Sequence, residues 1–301
     1  MRKKRALSFA LCLIIAVGMI APILAVSADE YEDYYLNPYA DPYASNPRRG
    51  TLIPIMFDGE PILSEIPARL IDSTTFVPLA EFVREVTDEE TEADIKQHEN
   101  TLTIELPGLH ITATYGNIYI VANGRYLFAP TGFRMIEGEM LVPIRPVAKA
   151  FGFTVDWCPE TSSVTLMPEY DFIKCGSEFY DEEDLYWMAR IIRIESHNEP
   201  FLGKIAVGNV IMNRVNSRSF SASTVRAVIF DRANGVQFPP AHTAAMTARD
   251  PCATCIIAAK LALEGANVVD NALYFNERRL NSWARRNRPF VTTIGNHDFF
   301  A

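Results

Sequence analysis

The stretch Asp181-Glu182-Glu183-Asp184-Leu185-Tyr186-Trp187-Met188-Ala189-Arg190-Ile191-Ile192-Arg193-Ile194-Glu195 decides how the second half of the chain folds. Four acidic residues open it, and negative charge suits a helix N-terminus. Leu185, Met188, Ala189 and Ile192 then recur at three- and four-residue spacing, which marks one buried helical face. Glu195 lies three residues after Ile192 and seven after Met188, so a carboxyl group ends the apolar stripe. Partial burial disfavours the charged form and raises a carboxyl pKa. That is the state in which a glutamic acid keeps its proton and donates it to a leaving oxygen. The alternative is a salt-bridged glutamate, with Arg190 or Arg193 as its partner.

Outward from this helix, predicted over 182–196, the periodicity continues in 203–216, 223–231 and 252–265, the last with Gly265 as its stop. Residues 181–301 therefore read as a mainly helical domain, and 169–180 as a linker before it. From 51 to 168 the pattern is of short strand-like runs, such as Thr101–Leu106 and Ile118–Val121, separated by turn signals at Asn123-Gly124 and Glu137-Gly138. An internal repeat lies within it: Phe76-Val77-Pro78-Leu79-Ala80-Glu81-Phe82 returns as Leu141-Val142-Pro143-Ile144-Arg145-Pro146-Val147. Each copy is followed by a short helix candidate and a strand, Thr101–Leu106 or Ser163–Met167. The expected fold class is α+β in two domains, a small β-rich repeat module followed by a mainly helical domain.

Residues 29–50 carry Tyr31, Tyr34, Tyr35, Pro38, Pro42 and Pro47 with little aliphatic content, and read as an extended tether. Residues 1–28 read as an export signal: Arg2, Lys3, Lys4 and Arg5, an apolar run to about Val26, and small residues at Ser27-Ala28. The alternative is an uncleaved anchor, since the run is nearly long enough to span a bilayer; Pro22 and the small-residue site favour cleavage. No stable membrane insertion is expected after it.

The 301 residues hold 28 basic and 37 acidic side chains, unevenly placed: 181–301 has 14 basic and 12 acidic, so the acidity belongs to the front half. A nucleic-acid partner is not expected there, and the slightly basic second half suits an anionic polymer. Of five cysteines, Cys12 lies in the signal, without the small residue before it that a lipidation site wants. Cys158, Cys175, Cys252 and Cys255 remain in a chain expected in an oxidising compartment. Cys252-x-x-Cys255 lacks a thioredoxin-like strand-to-helix context and further zinc ligands at matching spacing, so structural or incidental thiols are expected.

Further motifs follow Glu195: Ser196-His197-Asn198-Glu199-Pro200-Phe201-Leu202-Gly203-Lys204, Gly208-Asn209-Val210-Ile211-Met212-Asn213-Arg214-Val215, Val228-Ile229-Phe230 before Gly235-Val236-Gln237-Phe238, Ala258–Gly265, Ala272-Leu273-Tyr274-Phe275-Asn276, and Ile294-Gly295-Asn296-His297-Asp298-Phe299-Phe300. In that order they resemble the SleB-type cell wall hydrolases, a family that includes spore-cortex-lytic enzymes, over about residues 184–300. The repeat in 51–168 resembles the copper amine oxidase N-terminal-like domain. With only His98 and His110 it offers no convincing copper site, so the resemblance implies a wall-associated or positioning module.

The first resemblance implies a goose-lysozyme-like domain that cuts the glycan strands of peptidoglycan, as a lytic transglycosylase or a muramidase, with Glu195 matching the catalytic glutamate. No cofactor and no metal is implied. Gln237, Tyr274 and Asn276 are candidates for lining the sugar groove, because aromatic faces stack on sugar rings and amides bond N-acetyl groups; Phe238 and Phe275 read as core. Glu199 reads as a turn or capping residue before Pro200, or else as a base that positions water. Ser196-His197-Asn198 departs from the family's more usual Ala-Arg-Gly. Arg278, Arg279, Arg285, Arg286 and Arg288 around Trp283 form either a solvated face or a contact for anionic wall polymer. The implied location is secreted, in the cell wall or spore cortex, with peptidoglycan as partner, a possible wall-polymer contact through the N-terminal module, and a non-catalytic wall-binding protein as the remaining alternative.

Overall fold

The computed structural model describes residues 50–88, 90–233 and 235–301. The export signal, Cys12 and all but the last residue of the tether lie outside them.

The repeat is the organising device of the first half. Each copy becomes a strand running straight into a helix: Thr74–Pro78 into α1 (Leu79–Val86), and Glu139–Pro143 into α2 (Ile144–Phe151). Proline ends both strands and precedes both helices, where its missing N–H costs no ladder bond and its fixed φ suits the helix start. The two strands pair antiparallel with Val77 opposite Val142, so equivalent residues of the repeat face each other across a pseudo-twofold axis. They form the middle of a five-stranded sheet flanked by Arg69–Ile71 and Thr51–Leu52 on one side and Arg134–Ile136 on the other. A second five-stranded sheet is a meander from Asp94–His98 to Arg125–Phe128. A four-stranded sheet ties the two ends of the module by pairing Ser163–Pro168 parallel to Ile55–Phe57.

Both expected turns form. Asn123 and Gly124 have φ of 49° and 77°, and Glu137 and Gly138 have 55° and 90°, the left-handed pair that two-residue hairpins require. Each helix of the repeat is followed by a hairpin where a single strand was expected. The extra strands are Asp94–His98 and Phe153–Cys158. Asp94–His98 is an edge strand with mostly exposed polar side chains, so it carries no apolar alternation to read.

Residues 169–180, expected as a linker, pack onto the module instead. Ile173 and Tyr180 are buried, Asn123 Nδ2 donates to the Ile173 carbonyl at 2.9 Å, and the segment ends in a one-turn helix, α3 (Gly176–Phe179).

The second half is built on α4 (Glu182–Ser196), α5 (Phe201–Val215), α6 (Val225–Ile229), a 3-10 turn at Pro239–His242, α7 (Ala245–Ala248), α8 (Ala253–Leu263) and α9 (Trp283–Asn287). Asp181 caps α4, its carboxylate accepting from the Asp184 N–H at 2.9 Å. α5 begins two residues earlier than expected, with Pro200 at its N-cap. Gly265, at φ 94°, stops α8: its N–H bonds to the Ala262 carbonyl and that of Ala266 to Leu261, a Schellman closure.

α5 is the central element. Every residue from Gly203 to Ile211 is buried, and the helix packs against α4, α6 and α8 and against strands at the C-terminal end. At Gly208 a β-carbon would lie 2.8 Å from Ala262 Cβ and 3.3 Å from Ile192 Cδ1, so glycine sets how closely α5 approaches α8 and α4.

The helical half is completed by a feature not expected from the sequence, a three-stranded antiparallel sheet. Its order is Tyr274–Glu277, His297–Phe300, Phe290–Ile294, and Gly295-Asn296 makes the turn of its terminal hairpin.

The two halves share a buried clamp. Glu264, just past α8, has a side chain only 1% exposed. It accepts from Arg125 Nε at 2.6 Å and Nη2 at 2.8 Å, from Lys149 Nζ at 3.0 Å and from the Tyr180 hydroxyl at 3.1 Å. Burial alone would raise the Glu264 pKa, but these partners outweigh it and hold the carboxyl below its ordinary value. Removing Glu264 leaves the Arg125 guanidinium, whose side chain is 9% exposed, buried without its counter-ion. We expect Glu264→Ala to destabilise the chain by about 3–5 kcal/mol in chemical denaturation; a loss within about 0.5 kcal/mol would show that the clamp is not structural.

Candidate active site

Glu195 occupies the last turn of α4, where the stripe of Met188, Ala189 and Ile192 brings it against the α5 and α8 packing. Its Oε1 is buried without a hydrogen-bond partner. Neither arginine on the helix compensates it. Arg190 turns to Asp250 at 2.7 Å and to the Arg249 carbonyl at 2.9 Å, with its guanidinium over the Tyr186 ring. Arg193 Nη1 sits 3.1 Å from His197 Nδ1. With burial as the sole cause, the Glu195 carboxyl is pushed up to about 7.

Glu199 has the opposite environment although it is one turn further along. It is buried, and its carboxylate accepts from the Asn296 N–H at 2.7 Å and from Asn296 Nδ2 at 3.3 Å. A β-carbon on Gly295 would lie 2.0 Å from Glu199 Oε2, so only glycine lets the hairpin turn reach this carboxylate. Lys204, also buried, donates to the Glu199 carbonyl. The turn between α4 and α5 is thus tied to the C-terminal sheet by a carboxylate that sequence reasoning left between capping and catalysis. Beside Glu195, Ser196 is buried with its hydroxyl donating to the Ile192 carbonyl at 2.6 Å, and His197 is exposed.

Gln237 and Tyr274 are brought together by a residue that the sequence reading missed. Arg214, 3% exposed, donates from Nε to the Leu273 carbonyl at 2.7 Å and from Nη2 to Gln237 Oε1 at 3.2 Å. Its guanidinium carbon lies 5.0, 5.1 and 5.4 Å from the ring centroids of Phe220, Phe238 and Tyr274. Burial pulls its pKa down to about 10. A signal was present: Arg214 falls seven residues after Val207 and four after Val210, where the buried face of α5 continues.

Tyr274 also packs edge-on to Trp283, at 5.7 Å between ring centroids, and Arg288 donates to its hydroxyl at 3.2 Å. Trp283 is 52% exposed, so the pair presents aromatic surface to solvent. Asn276 is turned the other way. Its Oδ1 accepts from the Ser282 hydroxyl and its Nδ2 donates to the Glu277 carbonyl at 2.8 Å, so its amide closes the turn into α9. Phe238 is core at 1% exposure, whereas Phe275 is half-buried between Phe299 and His297. Burial lowers the His297 pKa, and its Nδ1 has no partner. The arginine cluster divides: Arg285 pairs with the buried Asp298, Arg288 lies over Tyr274 and Trp283, and Arg278, Arg279 and Arg286 are exposed.

Residues 198–300 match the family model for Cell Wall Hydrolase, and residues 56–166 match that for the Copper amine oxidase N-terminal domain. Two spore cortex-lytic enzymes are similar to the chain. That of Bacillus cereus is 38% identical over 124 residues, 40% of this chain and 45% of that protein. That of Oceanobacillus iheyensis is 35% identical over 124 residues, covering 40% and 42%. The chain thus spans less than half the length of these relatives. Among solved structures, the catalytic domain of the germination-specific lytic transglycosylase SleB from Bacillus anthracis is 34% identical, covering 43% of this chain and all of that one, with a TM-score of 0.37. The catalytic domain of the Bacillus cereus SleB protein is 33% identical, covering 40% and 92%, with a TM-score of 0.35. The chain therefore carries a Cell Wall Hydrolase domain at its C-terminal end and a Copper amine oxidase N-terminal domain ahead of it.

Proposed function

We propose that the C-terminal domain, residues 181–301, is a lytic transglycosylase that cuts the bond between N-acetylmuramic acid and N-acetylglucosamine in peptidoglycan, with Glu195 as its single acid and base. The observation that carries this reading is the desolvated carboxyl of Glu195, whose Oε1 is buried without a partner and whose pKa burial pushes up to about 7. In the first step Glu195 gives its proton to the glycosidic oxygen as that bond breaks. The resulting carboxylate then takes the proton of the muramoyl 6-hydroxyl, whose oxygen closes on the anomeric carbon to form a 1,6-anhydro ring. The acid is regenerated, and neither water nor a second carboxylate is consumed. Glu199, the other carboxylate nearby, already accepts two hydrogen bonds from Asn296. That commitment favours a transglycosylase over a muramidase that would need a base to position water.

Tyr274 with Trp283 is the aromatic platform on which a sugar ring stacks, and Gln237, held by Arg214, presents its amide beside it. Asn276 belongs to the same proposal as a groove residue, with its amide also bonded to Ser282 and Glu277. The relation to goose-type lysozymes, export through residues 1–28, the tether at 29–50 and a wall contact through residues 51–168 form the rest of the reading, with cell wall or spore cortex as the site of action.

Incubating the full chain and its Glu195→Gln variant with vegetative and cortex peptidoglycan tests this directly. We expect anhydro-muramoyl products by mass spectrometry from the wild type, and a loss of at least about a hundredfold in the variant. Reducing-end products would replace the transglycosylase by a muramidase, and no release from either wall would leave a binding protein. Because the first step needs a protonated Glu195, kcat should fall about tenfold per pH unit above 7.

Burial of the same carboxyl gives a stability prediction. The folded pKa, about 7, stands above the ordinary 4.5, so the native state binds this proton more tightly than the unfolded chain. Its contribution is complete below pH 4.5 and is lost as pH rises through 7, the loss amounting to about 3 kcal/mol at alkaline pH. Glu195→Gln should therefore be more stable than wild type at pH 8, with little difference at pH 4.5. Denaturation curves that coincide at pH 8 would contradict the desolvation of Glu195.

A further inference from the structure

Cys252 and Cys255 stand one turn apart at the start of α8, Cys252 as the N-cap residue and Cys255 on its buried side. Their sulfur atoms are 2.9 Å apart and hydrogen-bonded. Cys252 is half-buried and so reachable, whereas Cys255 is fully buried behind it. The Thr254 hydroxyl lies 3.1 Å from Cys252 Sγ. Lys204, projecting from α5, is the cation whose charge acts on both sulfurs. Donation from Cys255, with further help from Thr254 and Lys204, holds the Cys252 thiol well below the ordinary thiol range, while burial and the same shared proton push Cys255 up. No group of three or more metal-ligating side chains occurs among the described residues.

From the sequence alone these read as structural or incidental thiols, because neither a thioredoxin-like context nor further zinc ligands accompany them. Exchange chemistry needs less than a fold. It needs one accessible thiolate, a second thiol within reach behind it, and a cationic or helix N-terminal setting. All three are present here.

We propose that Cys252 and Cys255 form a redox-active dithiol, with Cys252 as nucleophile and Cys255 as resolving thiol, whose substrate class is a low-molecular-weight disulfide. The Cys252 thiolate attacks one sulfur of the external disulfide, forming a mixed disulfide and expelling one thiolate, which takes up a proton. Cys255 then loses its proton and attacks Cys252 Sγ, closing the internal disulfide and releasing the second thiol. The protein gives up two electrons and the Cys255 proton, solvent supplies the second proton, and the external disulfide leaves as two thiols. Closing the bond also removes a negative charge beside Lys204, whose ammonium donates to the Glu199 carbonyl in the turn that follows Glu195. The chemistry of the dithiol stands independently of the role given to Glu195.

The test uses the reduced full chain, with peptide-resolved mass spectrometry. In a brief pulse of N-ethylmaleimide at about pH 6, Cys252 should label at least about tenfold faster than Cys158 and Cys175. Cys175 is a stringent comparator, since its thiol is also lowered, by a hydrogen bond from Ser177, but it has no second cysteine beside it. On incubation with oxidised glutathione, the peptide carrying Cys252 and Cys255 should lose two hydrogens, and dithiothreitol should restore them. Cys255→Ser should instead accumulate a glutathione adduct on Cys252. Labelling of Cys252 no faster than Cys175, or adducts on Cys158 and Cys175 while the pair stays reduced, would overturn the proposal, and both readouts come from the wild type even if the variant does not fold.

Discussion

The burial of α5 from Gly203 to Ile211 is the constraint on which the second half of the molecule depends. A helix covered on all sides cannot be stabilised by an amphipathic stripe; it must be matched by neighbours around its circumference. Gly208 allows α4 and α8 to approach, and the polar residues Asn209, Asn213 and Arg214 bond in turn along the segment that follows α8. Asn209 Nδ2 donates to the Ala266 carbonyl and its Oδ1 accepts from the Val268 N–H at 2.9 Å. Asn213 donates to the Asp270 and Ala272 carbonyls at 2.8 and 2.9 Å, and Arg214 reaches Leu273. One helix therefore fixes the whole chain segment from 266 to 273 and delivers Tyr274 to its place at the start of the sheet. Buried amides of this kind carry a large penalty if unpaired, which makes their loops as well defined as the helix.

Two glutamates four residues apart show how environment assigns chemistry. Both are withdrawn from water, and Coulombic and hydrogen-bond compensation goes to only one. Glu199 receives two donors from Asn296 and closes the α4–α5 turn against the sheet. Glu195 receives none, because Arg190 is drawn to Asp250 and Arg193 to His197. Had either arginine turned back, the carboxyl would have stayed ionised near neutrality and lost its capacity as an acid. The rigidity supplied by Glu199 and the desolvation of Glu195 are complementary, since an uncompensated buried group persists only where its surroundings cannot rearrange to solvate it.

Local signals in the sequence were read well. The bounds of α4 came from the acidic opening and the Met188–Ile192 stripe, the hairpin turns from Asn-Gly and Glu-Gly, and the strand-to-helix unit from its recurrence. What escaped was set by distant partners. Asp94–His98 is a strand only because Thr101–Leu106 lies beside it, and its exposed side chains carry no alternation. The C-terminal sheet brings Tyr274–Glu277 to a hairpin that begins at Phe290, across a helix, and no window of sequence contains that pairing. The same holds for the site. The periodicity placed Glu195 on a buried face, but its freedom from Arg190 and Arg193 depends on where Asp250 and His197 lie. At Asn276 the amide type suggested a sugar groove, and its bonds to Ser282 and Glu277 are likewise visible only in the fold.

The Glu264 clamp extends this reasoning to the relation between the two halves. A carboxylate almost without solvent exposure is tolerable only with several donors, and here they come from both sides: Arg125 and Lys149 from the repeat module, Tyr180 from the segment between the halves. The Tyr180 hydroxyl also accepts from the Tyr126 N–H at 3.1 Å, and Arg125 lies over the Phe179 ring at 3.3 Å. Ile118 and Tyr119 of the meander join the apolar core built by α4, α5 and α8. The contact therefore combines a shared core with a saturated ion cluster, unlike the polar, loosely held contact typical of domains joined by a free linker. Residues 169–180 lie along the module and lead into α4. The clamp thus does between the two halves what the buried polar bonds of α5 do within one of them, tying separate stretches of chain to a single buried group.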